Sequence, residues 1–316
     1  MAQPPFLSIV TPTRGNFSRS WLEALLRVEG NVEFVLVYPP TAYVTAGEDP
    51  QLRIIRSPYQ GELPQRLLGL LNASGTYLLA LDDDDFVHPQ ISTMTETYFS
   101  RFPQSWVMRP YMEFISHTET ERIERPWETV PAITDLPIRT PQNLAHNSRW
   151  ADAGDGLLEI PLAPLNLRLR LRHAFWPFTQ RTDMHGVHFE NFNNRVWSSE
   201  RVKPALTALL QNLTLFGPVK LIPAWSLDRL LGLYIQAFFF RPGATIGHWL
   251  PKPGQVRFIA RPASMKEIRS TLLAESLLVR SFPSYAYFWH LFFYKLYQET
   301  PRVLIDSVWA KLRKTR

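Results

Sequence analysis

Residues 59–85 read YQGELPQRLLGLLNASGTYLLALDDDD, and the order of events along that stretch decides the fold. Leu63 to Leu71 reads as a helix, and Tyr77 to Leu81 is a compact apolar run of strand length. Four aspartates, Asp82 to Asp85, follow the run without a break. Adjacent carboxylates repel one another by an amount that depends on how well water screens them. Aspartate is common where a chain leaves a strand, so a solvated turn is one reading of the run and a cation site is the other.

The residues before this stretch favour the second reading. Phe6 to Thr11 is an apolar run ended by Pro12 and the polar TRGN; Ser20 to Val28 has helical spacing of Trp21, Leu22, Leu25 and Leu26. Glu33 to Tyr38 is a second strand candidate, stopped by Pro39 and Pro40, and Leu52 to Ile55 a third. Strand and helix alternating over short connections predict an α/β fold with a mainly parallel sheet covered on both faces. In such sheets ligands bind beyond the carboxyl ends of the strands. The aspartates begin where one strand stops, and Pro12, Thr13 and Arg14 follow another, so both segments are expected on one edge. Hard cations such as Mg²⁺ or Mn²⁺ take oxygen ligands, usually one or two carboxylates with phosphates and water. Alternation along an extended chain sends Asp82 and Asp84 to one side. Asp84 is the first choice of metal ligand, Asp82 and Asp85 are further ligand candidates, and Asp83 is expected in solvent.

After Arg109 the regular pattern dissolves. Residues 109–172 are rich in Pro, Thr and Arg and read as loops with short extended pieces, the usual character of lids and substrate loops. Val187 to Trp197 fits a strand pair, and SERVKPALTALLQNL a helix capped by Ser198 or Ser199. Ser226 to Phe238 is a second helix, and the chain from about Arg261 is helical and increasingly aromatic. The expected organisation is two halves of one α/β domain, over 1–110 and 111–260. A helical aromatic and basic extension then covers 261–316.

Composition bounds the function. With 45% hydrophobic and 20% charged residues the 316-residue chain is a folded globular protein. It contains no cysteine, which excludes disulfides and thiolate zinc sites. Its net charge of +6 is concentrated at the end, where residues 301–316 hold Arg302, Lys311, Arg313, Lys314 and Arg316 against Asp306 alone. Nucleic-acid binding by the body of the chain is therefore not expected. No stretch reaches the roughly 20 apolar residues that span a bilayer, and no secretory signal is read at the amino terminus. The expected location is cytoplasmic. Residues 285–316, which combine YAYFWHLFFYKLY with the basic end, are a candidate peripheral contact with the membrane.

Taken together, LSIVTPTRGN and YQGELPQRLLGLLNASGTYLLALDDDD resemble the family 2 glycosyltransferases, inverting sugar-nucleotide enzymes of the GT-A fold, over roughly residues 6–250. Gly61, Arg66, Gly69, Ala73, Gly75, Tyr77 and the acidic run fall at family-like spacing. The resemblance implies a nucleotide-sugar donor held by Pro12, Thr13, Arg14, Tyr59, Gly61, Arg66 and Asp82, with Asp82 facing the ribose or the metal. It makes 1–110 the nucleotide-sugar-binding half and 111–260 the acceptor-binding and catalytic half. It also implies a Mn²⁺ or Mg²⁺ ion on the acidic run that neutralises the diphosphate leaving group. The acceptor it implies is a glycan or a lipid-linked molecule, receiving a single sugar of hexosyl type. The family's general base is a carboxylate at a helix start; here LDRLL at 227–231 matches it with Asp228, although Leu227 replaces the preceding acid. His248, in ATIGHWL, falls where relatives supply a metal-binding or phosphate-contacting histidine.

Two departures stand beside the resemblance. The acidic base-recognising turn after the second strand is replaced by VYPPT, residues 37–41, which leaves Tyr38, Glu48 or Asp49 for the base. The arginine-tryptophan signature of processive members is absent, which argues against a polymerising synthase. His185 and His188, in MHGVH, are expected to be structural. The competing readings are a non-catalytic sugar-nucleotide or glycan-binding protein and a nucleotidyltransferase.

Overall fold

The first strand, β1 (Leu7–Pro12), is flanked by parallel partners on both sides, β2 (Val32–Tyr38) and β4 (Tyr77–Ala80). The computed structural model describes residues 4–44, 49–140, 154–170, 191–213, 224–260 and 272–299. Beyond β2 lies the parallel edge strand β3 (Leu52–Arg56). On the other side the sheet continues through β10 (Val196–Ser198), β6 (Val107–Arg109), β11 (Thr245–Trp249), β9 (Leu157–Pro161) and β8 (Ile138–Arg139). Five of the eight neighbouring pairs are parallel; β10 is antiparallel to both β4 and β6, so those two point the same way. The expected mainly parallel sheet is present, and it draws strands from both sides of residue 110.

Both faces are buried, as the continuous apolar strands require. Leu7, Ile9, Phe34 and Leu36 pack on one face with Trp21 and Leu25 of α1 (Arg19–Leu25) and with Met94, Tyr98 and Phe99 of α3 (Ile91–Arg101). Val10, Val35 and Val37 point to the other face, against α2 (Glu62–Asn72), α5 (Ser199–Leu213) and α6 (Ala224–Phe238). Gly69 lets α2 approach this closely: a β-carbon there would lie 2.5 Å from Val10 Cγ1 and 2.8 Å from Val37 Cγ2.

Downstream the expectations are met only in part. Within 109–172, β7 (Met112–Ser116), the short α4 (Thr120–Glu124), β8 and β9 are regular. A second sheet pairs β7 in parallel with β12 (Val256–Ala260), whose other edge takes β5 (Phe86–Val87). Its strands come from three distant places in the chain, so no local pattern announces it. Of the strand pair expected over 187–197, the described part, from Asn191, contains one strand, β10, preceded by a loop. Helices α7 (Leu272–Ser281) and α8 (Ala286–Tyr294) pack Leu277, Leu278, Phe288 and Leu291 into the same core as α5 and α6. His185, His188 and residues 300–316 lie outside the described residues.

Candidate active site

Because β1, β4, β6 and β11 run in one direction, the turns after them share one edge, and β10 starts from that edge. The polar segments after β1 and β4 meet there. Thr13 hydroxyl donates to Asp83 Oδ2 at 2.7 Å, and Gln65 of α2 donates through Nε2 to the carbonyls of Thr13 and Val37 at 2.8 and 2.6 Å. Arg66, also on α2 and almost fully buried, donates through Nη2 to Glu62 Oε1 at 2.9 Å and to Asp82 Oδ1. Burial alone would lower the Arg66 guanidinium's pKa, but Asp82 and Glu62 more than offset it and hold the group charged. Its Nη1 is buried with no hydrogen-bond partner among the described residues.

The acidic run is a turn rather than an extended strand end, closed by Asp85 N–H on the Asp82 carbonyl at 3.2 Å. Alternation therefore does not sort the four side chains. Asp83 is bonded to Thr13 instead of lying in solvent. Asp85 is turned inward: it is buried, Oδ2 accepts from Asn194 Nδ2 and Oδ1 from Ile259 N–H, both at 2.9 Å, and its carbonyl accepts from Trp21 Nε1 at 2.8 Å. Burial, then the neighbouring Asp82, pushes the Asp85 carboxyl well above the ordinary carboxylate range. With both oxygens committed inside the protein, Asp85 joins sheets and loops and is not a metal ligand. Asp82 and Asp84 remain partly exposed on the turn.

Asp228 is brought to the same edge. Helix α6 begins at Ala224, which puts Asp228 in the second turn, beyond the reach of the helix dipole. Its Oδ1 accepts from the backbone N–H groups of Phe192 and Asn193. Burial raises the Asp228 carboxyl above its ordinary value, against the pull of Arg195, the Asn193 N–H, Arg66 and the Phe192 N–H. Arg109, the last residue of β6, lies with its guanidinium carbon 3.3 Å from the ring centre of Trp249, its register partner on β11. Burial and the like charge of Arg195 lower the pKa of the Arg109 guanidinium, while Asp228 acts the other way.

His248 is not part of this group. It faces α3, where Nδ1 meets Tyr98 hydroxyl at 2.8 Å and the ring lies 4.3 Å from that of Phe102. Burial, then Arg101, pushes it down to about 4, so it is a neutral core residue and not a ligand to the aspartates. Among the described residues no cluster of three or more acidic or histidine side chains could hold a metal, so Asp82, Asp84, Asp85 and His248 do not converge. Of the expected donor contacts, Pro12 is buried at the end of β1 and Arg14 is exposed. Tyr59 is 65% exposed, and Gly61 begins α2 at φ 126°. Tyr38 is completely buried, beneath Phe17 and Gly15, and cannot stack on a base. Asp49 is used in a local turn with Gln51 N–H at 2.8 Å, and Glu48 lies outside the described residues.

The sequence reading missed the loop NFNNR at 191–195, which links the two acidic elements. Asn194, at φ 56°, donates its backbone N–H to Ala80 carbonyl at 2.9 Å and its amide to Asp85. Arg195 donates to Asn191 carbonyl, and Trp197 Nε1 to Phe192 carbonyl at 2.9 Å. Paired asparagines before an apolar run do mark a turn that tolerates positive φ, but they do not say what it faces.

No family model matches the chain, and neither does any curated protein. Solved structures are similar in fold. TarS of S. aureus, residues 1–349, in complex with UDP-GlcNAc, superposes with a TM-score of 0.50 at 13% identity, covering 89% of this chain and 67% of that one. The same fragment with UDP gives a TM-score of 0.48 at 13% identity over 89% of this chain and 66% of that one. The chain thus spans about two thirds of the length of these fragments. They share with it the mixed α/β architecture around a large, mostly parallel sheet.

Proposed function

We propose that this chain is a metal-dependent inverting glycosyltransferase of GT-A, family 2-like type, moving one sugar from a nucleotide-diphosphate donor to a glycan or lipid-linked acceptor. The observation that carries the reading is the meeting of Asp228 and Arg66 at the acidic turn. A partly buried carboxylate with a raised pKa lies within the field of a buried arginine, and that arginine is ion-paired to Asp82.

Each group has a task in such a transfer. The acceptor hydroxyl attacks the anomeric carbon opposite the leaving diphosphate and gives its proton to Asp228. The hydrogen-bonded Oδ1 orients that carboxylate, and Oδ2 is the atom that takes the proton. The carbon–oxygen bond to the diphosphate breaks, and its electron pair stays on the phosphate oxygen. The Arg66 guanidinium, held charged beneath the turn by Asp82 and Glu62, supplies positive potential for that developing charge. A divalent cation, when bound, supplies Lewis-acid neutralisation of the diphosphate. The donor set fits one: Asp84 and the second oxygen of Asp82 are hard oxygen ligands, and two carboxylates with phosphate and water suffice for Mg²⁺ or Mn²⁺. The fold likeness to TarS, crystallised with UDP-GlcNAc, makes that compound the first donor to test.

The deciding experiment incubates purified protein with a panel of sugar nucleotides and Mn²⁺ and follows nucleotide release. Turnover that Asp228→Asn reduces by about 10²- to 10⁴-fold, with donor binding retained, is the expected result. Metal-dependent binding with no turnover on any donor and acceptor would make the chain a binding module instead.

A further inference from the structure

Helix α8 has a face that sugar transfer leaves unused. Trp289 and Phe293, one turn apart, have stacked rings with centres 5.9 Å apart, and Tyr297, in the π-helical turn Lys295–Glu299, stacks on Phe293 at 6.2 Å. Phe292 flanks both, at 6.4 Å from Trp289 and 5.6 Å from Phe293. Tyr287, Phe288 and Leu291 of the same helix are buried in the core, whereas Trp289, Phe292 and Phe293 are only half-buried and Tyr297 is 40% exposed. The indole N–H of Trp289 is satisfied within the chain, on Pro283 carbonyl at 2.9 Å.

A basic rim adjoins this ladder. The segment 165–170 runs beside α8, with Tyr287 N–H on Leu165 carbonyl at 3.5 Å and Arg170 N–H on His290 Nε2 at 3.0 Å. It brings Leu169, 48% exposed, and the exposed side chains of Arg168 and Arg170 next to the helix. Residues 301–316 follow a few positions on and carry five basic side chains in sequence against one acidic.

We propose that this face docks peripherally on an anionic bilayer, with the aromatic ladder at headgroup depth and Arg168 and Arg170 over lipid phosphates. Aromatic rings favour that depth, and lysine and arginine near them add attraction to anionic lipid. No described helix is long and apolar enough to cross the membrane, so the contact lies on the surface. A second copy of the chain fits this face less well, because a two-fold interface would set Arg168 and Arg170 against the same charges. The inference is independent of the chemistry at the catalytic edge.

Co-sedimentation of the full chain with vesicles tests it, using phosphatidylcholine alone and phosphatidylcholine mixed with phosphatidylglycerol, at low and high salt. Binding several-fold stronger to the anionic vesicles is expected. Arg168→Gln with Arg170→Gln should remove most of its salt-sensitive part, and Phe293→Ser with Tyr297→Ser the part that survives salt. Thermal melts establish that each variant is folded; should the aromatic pair unfold, Tyr297→Ser alone, at an exposed position, replaces it. Recovery of the wild type in the supernatant with anionic vesicles at low salt overturns the proposal. So does undiminished sedimentation of the folded aromatic variant, or a concentration-dependent dimer in the absence of lipid that this variant loses.

Discussion

Asp228 and Asp85 are both carboxylates raised by burial, yet their surroundings give them opposite roles. Asp85 has each oxygen bonded inside the protein, while among the described residues the hydrogen bonds to Asp228 fall on Oδ1. A base must be ionised to act, so a raised pKa moves the acid limb of the rate profile above the ordinary carboxylate value of 3.8. Arg195 pulls that pKa down, and Arg195→Gln is expected to shift the limb to higher pH. The measurement is kcat against pH for both proteins; an unmoved limb would remove Asp228 from the proton transfer. The aspartate turn is separable in the same way. Asp84→Ala is expected to cut turnover by several powers of ten and to cost less in melting temperature than Asp85→Ala. Asp85→Ala strands the Asn194 amide and the Ile259 N–H, each at a cost of about 1–3 kcal/mol, and should lower the melting temperature markedly. If the two variants traded these phenotypes, the assignment of ligand and strut would be reversed.

Elements carry the second kind of result. His248 sits between β11 and α3 as a neutral ring, held down to about 4 from 6.5 by burial. The unfolded chain takes up a proton there below 6.5 and the folded chain does not, so stability is present above that pH and lost as pH falls toward 4. The full loss is about 3 kcal/mol. His248→Asn, which retains a polar atom near Tyr98, should flatten that part of the stability profile measured by urea unfolding between pH 4 and 7. An unchanged slope would mean that the ring is charged in the fold. At this scale the sequence reads well where a pattern is local. Strands β1, β2 and β4 and helices α1 and α2 lie within a residue or three of their expected bounds, because apolar period and proline punctuation are visible in a short window. The sheet of β5, β12 and β7 was not visible, since its pairing partners are separated by about half of the chain. Tyr38 as a base-stacking ring and His248 as a metal ligand failed for a related reason: only the packing around each shows that its ring is buried.

The whole molecule assembles its candidate site from β1, α2, the turn after β4, the loop before β10 and α6, so residues from Thr13 to Asp228 contribute to one edge. The acidic run and Asp228 were legible as residues, but their meeting was not. It depends on β10 entering antiparallel between β4 and β6 and carrying Asn193 and Asn194 to both carboxylates. A donor that bridges this edge binds the folded chain and not the unfolded one, and so stabilises it by mass action. At a concentration a hundred times its dissociation constant the gain is about 2.7 kcal/mol. UDP-GlcNAc with Mn²⁺ is therefore expected to raise the melting temperature by several degrees in calorimetry. EDTA should remove most of that shift while leaving the protein without donor unaffected. Asp84→Ala should show only the shift that remains in EDTA, because it lacks the proposed metal ligand. The nucleotide base is tested in the same scan with UDP, GDP, CDP and ADP, since the VYPPT turn offers no exposed Tyr38 for it. No stabilisation by any of these nucleotides, with Mn²⁺ and without, would remove the donor site from this edge, whatever the aspartates do there.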